Sequence, residues 1–380
     1  MKTKVSIIKC HSYDEAEVTG SVSKAIELIG GIGNFIKPSS TVLVKPNLLA
    51  TKSRDSRVTT DPAVVGAVLG LIKDHGATPV VGDSPGIGSA EAAATKSGIM
   101  DEVKKHSAKF VELSTPINIA NSKGKRFKKF VIAEEALEAD FIINVPKLKT
   151  HAQMFLTMGI KNIFGCIPGK RKAQWHFSAG IDTSAFADML IDLALLMKPA
   201  LTVMDAVISM EGNGPASGDA KETGLIMASE SPFSIDVVGC KVLGIHPKDL
   251  PVIKRALKAG IEESKEDNIE VVGERIEDVK ISDFKFPPLV SPNFADKLPA
   301  PISKLLRNTL TSRPSIDTGK CMLCNVCVAA CPTETITIEN QSKIVIDYDG
   351  CIRCFCCQEM CPHRAIDITE GLLKRIIPGL

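Results

Sequence analysis

The sequence is poor in aromatic residues and in net charge. Of its 380 residues one is Trp and two are Tyr, and aromatics make up 4%. A surface that binds nucleic acid by stacking bases has little to draw on. The net charge is +2 at pH 7, so no global field recruits nucleic acid or an anionic membrane. Long apolar runs are missing too. Nothing approaches the roughly 18 residues of a membrane span, and the best stretch, Met189 to Met197, contains Asp192. No cleavage site follows the N-terminal MKTKVSIIKC, which reads as a first strand. These absences lead us to expect a cytoplasmic protein with no membrane span and no nucleic-acid partner.

Cysteine is what the chain has in excess. There are twelve, and nine fall between Cys321 and Cys361. In a cytosolic protein such crowding favours metal over disulfides. The first run is Cys321-x2-Cys324-x2-Cys327-x3-Cys331-Pro332. The second is Cys351-x2-Cys354-x2-Cys357-x3-Cys361-Pro362, offset by 30 residues. Three thiolates at three-residue intervals wrap one loop around an iron cube. In the bacterial ferredoxin run the fourth cysteine of each motif ligates the other cluster. The spacing therefore predicts two [4Fe–4S] clusters, one on Cys321, Cys324, Cys327 and Cys361, the other on Cys351, Cys354, Cys357 and Cys331. Structural zinc is the competing reading, but zinc sites pair one C-x2-C with a distant second pair.

Between the motifs Ile336–Ile338 and Ile344–Ile346 alternate apolar and polar residues around Asn340-Gln341-Ser342, the pattern of a small hairpin. Glycine often follows the second cysteine; Asn325 and Phe355 stand there instead. Phe tolerates left-handed backbone poorly, so the second loop is expected to be distorted. Cys356 is a spare thiol or an alternative ligand during assembly. Residues 318–370 hold seven acids against four bases, so a module of charge −3 is attached to a remainder of +5.

Residues 1–282 alternate strand and helix patterns. Strands are predicted at Val5–Ile8, Thr41–Lys45, Pro79–Gly82, Phe110–Leu113, Phe141–Val145, Leu201–Val207 and Leu225–Ala228. Helices are predicted at Val22–Ile36, from an N-cap at Thr60 to Asp74, near Ser89–Ser97, at Asp182–Met197 as an amphipathic helix, and at Ser234–Leu243. This alternation implies an α/β fold, a large domain with a mostly parallel sheet flanked by helices. The small α+β ferredoxin-like domain, 317–370, follows a linker, 283–316, with six prolines and a short helix at Ile302–Leu310. Residues 371–380 form a tail.

Ligands in open α/β sheets sit beyond the C-terminal strand ends. Lys147, Lys149, His151 and Lys161 follow one strand and are candidates for a cationic pocket or for acid and base. Lys45, Asn47, Asp83 and Asp205 end other strands and are candidate ligand-binding residues. Asp83-Ser84-Pro85-Gly86 precedes a helix, and Glu211-Gly212-Asn213-Gly214-Pro215 is a second Gly-rich loop. His176, beside Trp175, is a further lining candidate. Cys166, in a Gly/Pro loop, is the cysteine outside the module to test for reactivity; Cys10 and Cys240 read as buried apolar residues. His11, His75, His106 and His246 read as turn or surface residues. The basic run Lys123–Lys129 reads as a solvated hairpin.

The stretches VLVKPNLL, TTDPAVVGAV, VGDSPG, INVPKLKTH, GIKNIFGCIPG and VMDAV with EGNGP resemble the domain-of-unknown-function 362 family over essentially the whole chain. The CIRCFCCQEMCP run resembles its subgroup with a C-terminal ferredoxin domain. The resemblance implies an iron–sulfur protein of the kind found in anaerobic bacteria and archaea. The large domain also has a remote similarity to the nickel-dependent lactate racemase superfamily.

The expected function is low-potential electron transfer, with an anionic substrate or cofactor held at the strand ends and a ferredoxin or oxidoreductase as redox partner. The alternatives are an electron carrier whose large domain only docks or senses, and non-redox chemistry such as isomerisation with structural clusters. No flavin or nicotinamide fingerprint is present.

Overall fold

The computed structural model describes residues 2–86, 88–169, 171–179, 183–287 and 312–369. The predicted helix at Ile302–Leu310 and the tail 371–380 lie outside them. In chain order the strands of the large domain are β1 (Thr3–Lys9), β2 (Thr41–Pro46), β3 (Thr78–Asp83), β4 (Lys109–Glu112), β5 (Pro116–Ala120), β6 (Lys129–Ala133), β7 (Phe141–Val145), β8 (Lys147–His151), β9 (Phe155–Thr157), β10 (Leu201–Glu211), β11 (Asp219–Ser229) and β12 (Ile269–Gly273). A central sheet runs in the order β12-β1-β11-β10-β7-β2-β3-β4, with β8 attached to β10 and β9 to β8. Along the main order β11 alone is antiparallel to its neighbours.

Strand residues sort by parity onto the two faces. Val42 and Val44 join the core under the helices Glu15–Leu28, Pro62–Asp74 and Ala90–Ser97. Leu43 joins the opposite core, with the helices Thr183–Met197, Pro232–Val242 and Pro251–Lys258. Both faces of β2 are therefore buried, which is why its sequence is continuously apolar. The result is a three-layer α/β/α domain.

Several local expectations shift. The first helix is Glu15–Leu28, not Val22–Ile36, because the Asp14 carboxylate accepts the amides of Ala16 and Glu17 and starts it early. The second is capped by Asp61, not Thr60, with Pro62 in its first turn. Thr60 instead donates its hydroxyl to the Val145 carbonyl at 2.7 Å, tying β7 to the loop after β2. The helix Thr183–Met197 is buried on nearly all sides rather than amphipathic. Its Asp192 accepts the backbone N–H groups of Lys125, Arg126 and Phe127 at 2.7–2.8 Å, anchoring the basic loop between β5 and β6. The lysines of that loop stay exposed.

The cysteine-rich domain contains β13 (Arg313–Ile316), β14 (Ile336–Glu339), β15 (Lys343–Ile346) and β16 (Ile366–Thr369). The expected hairpin is β14–β15. The strand β13, inside the expected linker, pairs antiparallel with β16, so the cysteine domain begins before residue 317. At the linker's other end Phe286 stacks on Phe155 at 5.1 Å, and Phe284 is buried in the large domain.

Candidate functional site

The two halves of the cysteine domain have the same backbone. Left-handed φ values recur at Leu323 and Arg353, at Asn325 and Phe355, and at Glu334 and Arg364, each pair 30 residues apart. The short helices Val326–Ala330 and Cys356–Met360 follow the second of these positions. The expected distortion at Phe355 is not found. Its φ of 59° matches the 63° of Asn325, and burial of the ring offsets the strain of that conformation.

Cys321, Cys324, Cys327 and Cys361 line one small cavity; Cys331, Cys351, Cys354 and Cys357 line another. These are the crosswise sets that the ferredoxin spacing predicts. Among the described residues no group of three or more His, Cys, Asp or Glu side chains is gathered as a site for a single ion. Four thiols spread around a cavity suit a cluster rather than zinc. Cys356 belongs to neither set.

Cys356 lines a third and larger cavity, of about 510 Å³, between the two domains. The strands β2 and β7 are neighbours, and the chain leaves β2 toward β3 and β4 but leaves β7 toward β10. Such a reversal opens a crevice beyond the strand ends. Lys45 and Asn47 come from the end of β2, Asp83 to Gly86 from the end of β3, and Lys149 and His151 from β8. Lys161, Asn162, Phe164 and Gly165 come from the helical segment after β9, and Lys172 and His176 from the helix Arg171–Ala179. Ala329, Ala330, Cys356, Glu359 and Met360 of the cysteine domain close it.

Lys45 pairs with Asp83 at 2.7 Å, both side chains being nearly inaccessible. Gly165 lies against this pair; a methyl group there would collide with the Asp83 carboxylate and the Lys45 ammonium. Lys149 donates to the Asn47 side-chain oxygen and to the Val58 carbonyl, each at 2.8 Å. Burial pushes its ammonium down to about 7. Asn47 in turn donates to Asn162 at 3.0 Å, and Asn162 to Asn144 at 2.8 Å. This amide chain links β2, β7 and the segment carrying Lys161.

Lys161 lies over the rings of Phe164 and Phe186, at 4.9 and 5.8 Å from their centroids. No carboxylate comes within ion-pair distance of it among the described residues. Burial lowers its ionisation too, with Glu359 opposing. The backbone amides of Gln153 and Met154 donate to Nδ1 of His151 at 3.1 and 3.2 Å. That leaves the proton on Nε2, which has no hydrogen-bond partner. Burial holds the imidazole neutral, well below its ordinary value.

Lys147 and Asp205 do not line this cavity. Three alternate residues share one face of β8, but Lys147 is drawn away to Asp205 at 2.8 Å and to the Tyr13 hydroxyl at 2.5 Å. Asp205 also accepts from Tyr13 at 2.7 Å and from the Asp61 amide at 2.8 Å. Cys166, the cysteine singled out for a reactivity test, is fully buried, and burial pushes its thiol up to about 11, the setting of an inert thiol. Cys10 and Cys240 are buried as expected.

Sequence reasoning missed Lys172, Glu359 and Met360. Lys172 donates to the Ile167 carbonyl at 2.5 Å, and burial pushes it down to about 7. Its only sequence signal was the basic stretch after Gly169. Glu359 and Met360 lay inside a motif read for its cysteines alone. The Gly212–Pro215 loop serves as the domain seam: Gln358 donates to the Asn213 carbonyl, the Asn213 side chain and the Gly214 carbonyl at 2.9, 2.7 and 3.2 Å.

Residues 42–241 match the family model described as a domain of unknown function, DUF362, and residues 313–362 match a 4Fe-4S dicluster domain. The thylakoid-associated protein sll1697 of Synechocystis sp. is 38% identical over 261 residues, which are 69% of this chain and 81% of that protein. Among solved structures, the lactate racemase apoprotein of Thermoanaerobacterium thermosaccharolyticum has 14% identity and a TM-score of 0.43, covering 64% of this chain and 57% of that one. A Thermotoga maritima protein has 11% identity and a TM-score of 0.37, covering 59% and 57%. No helix of the described residues is long and apolar enough to cross a membrane. The chain is a member of the DUF362 family that carries a 4Fe-4S dicluster domain, and with it the apparatus of iron–sulfur electron transfer.

Proposed function

We propose that this protein passes single low-potential electrons to an anionic substrate or cofactor held in the cavity between its two domains. The observation that carries the reading is the composition of that cavity's walls. One wall presents Lys149, Lys161, Lys172 and His151; the other presents Ala330 and Cys356, immediate chain neighbours of Cys331 and Cys357. Two [4Fe–4S] clusters held on the crosswise sets would supply one electron each. The lysines bind and orient an anionic group. The Lys45–Asp83 pair and the Asn47–Asn162–Asn144 chain fix the positions of the cations around it. His151 presents a neutral Nε2–H to an oxygen that gains charge on reduction, and a lysine ammonium can supply the proton.

The test is anaerobic single turnover. The protein is reduced, freed of reductant and mixed with candidate anionic acceptors while cluster absorbance is followed. Saturable reoxidation that slows in Lys161→Met and His151→Gln, with both clusters still reducible, is expected. Reoxidation indifferent to both substitutions would assign the protein to the carrier class.

A further inference from the structure

We infer that the interdomain cavity is a site for a multiply charged anion, a phosphate ester or polycarboxylate bearing at least two negative charges. This rests on reading the cavity as a ligand site, but it needs no electron transfer.

The argument is a charge balance around the walls. Lys45 is neutralised by Asp83 at 2.7 Å. Lys149 is satisfied by two neutral oxygens, from Asn47 and Val58. Lys172 is held by the neutral Ile167 carbonyl. Lys161, nine-tenths buried, has aromatic faces beneath it and no carboxylate in ion-pair reach among the described residues. Facing this cluster is one carboxylate not already paired with a lysine, Glu359, 3.8 Å from Nε2 of the neutral His151. With all three lysines protonated, the walls therefore fall about two negative charges short. Burying unpaired ammonium groups is costly, and an anion that brings both missing charges removes that cost. A singly charged acid would leave a lysine uncompensated.

The lysines could instead serve only to balance the charge of the clusters. That account makes a different prediction, because it requires no ligand. His151 Nε2–H, which has no hydrogen-bond partner, and Lys161, which has no ion-pair partner among the described residues, point the other way: both line a cavity wide enough for a small molecule.

Isothermal titration calorimetry of the anaerobic holoprotein distinguishes the two. The probes are inorganic pyrophosphate, citrate and acetate, each titrated into wild type, Lys161→Met and Lys172→Gln. At least one of pyrophosphate and citrate is expected to bind about tenfold or more tightly than acetate, and each substitution is expected to weaken that binding by about tenfold or more. Preference between the two polyanions separates phosphate from carboxylate recognition. Absence of binding by both, or binding unchanged by both substitutions, would overturn the inference. Unaltered cluster spectra in the variants show that folding is intact. Reoxidation kinetics are read separately, so a ligand that binds without accepting electrons leaves this inference standing and removes the proposed redox role.

Discussion

Nε2 of His151 stands 3.8 Å from the Glu359 carboxylate, across the seam between the α/β domain and the cysteine domain. The pair brings a strand-end histidine of one domain against a residue lying between Cys357 and Cys361 of the other. The cavity is thus a property of the two domains together, and the contacts that hold the seam closed control it.

Gln358 is the first such contact. It is fully buried, and its side-chain amide donates to two carbonyls of the Asn213–Pro215 loop. Gln358→Ala leaves those carbonyls buried without donors, a loss of about 1–3 kcal/mol. Hydrogen exchange should show the Gly214 amide opening faster while cluster spectra stay unchanged. Equal protection in variant and wild type would show that the seam does not depend on this residue.

Gly165→Ala should damage the opposite wall. The added methyl group must displace the Asp83 carboxylate or the Lys45 ammonium, and overpacking of this kind costs about 1–3 kcal/mol. Chemical denaturation should report that loss in the large domain, with iron content unaffected. Stability within about 0.5 kcal/mol of wild type would mean that the loop shifts without disturbing the pair.

Much of this was legible in the sequence. The thiol spacing identified the two crosswise cysteine sets, because local repetition dictates local backbone. The continuous apolar run Thr41–Lys45 read as a strand, and the structure buries both of its faces. Lys45, Asn47, Lys149, His151 and Lys161 reach one cavity because strand-end position is readable from pattern. Lys147 and Asp205 share that position but turn to each other, a choice made by Tyr13 and Asp61 from distant segments. Lys172 and Glu359 enter the site through tertiary packing, and periodicity does not encode which domain face meets which.

Anion binding should weaken as pH rises. Lys149 and Lys172 both lie at about 7 through burial. Glu359, Asp83, Lys161 and Lys147 face the first; Asp83, Lys45, Cys166 and Lys161 face the second. The protonated lysines bind the anion, so binding is strongest below 7 and takes up protons near it. Above that value affinity should fall by about tenfold per pH unit for each lysine that must be protonated. Calorimetry in buffers of different ionisation enthalpy checks the proton uptake, and a flat profile from pH 6 to 8.5 would contradict it.

Asp236 gives a stability prediction of opposite chemistry. Its carboxyl accepts the amides of Gly159 and Ile160 at 2.7 and 3.2 Å, positioning the segment that carries Lys161. Burial pushes it from 3.8 up to about 8. The folded state therefore holds a proton that the unfolded chain releases, and this contribution is full below about 4 and lost as pH rises through about 8. Asp236→Asn keeps an acceptor for Gly159 and should flatten that slope. Asp236→Ala should cost about 1–3 kcal/mol at pH 5. Urea denaturation across pH measures both.

The most direct measurement is metal analysis with low-temperature EPR of the dithionite-reduced protein, purified without oxygen, beside Cys331→Ala and Cys361→Ala. The account predicts about eight irons per wild-type chain with signals from two interacting clusters. Each variant should retain about four irons, with Cys331→Ala losing the centre on Cys351, Cys354 and Cys357, and Cys361→Ala the other. Zinc in place of iron, or no signal on reduction, would contradict it.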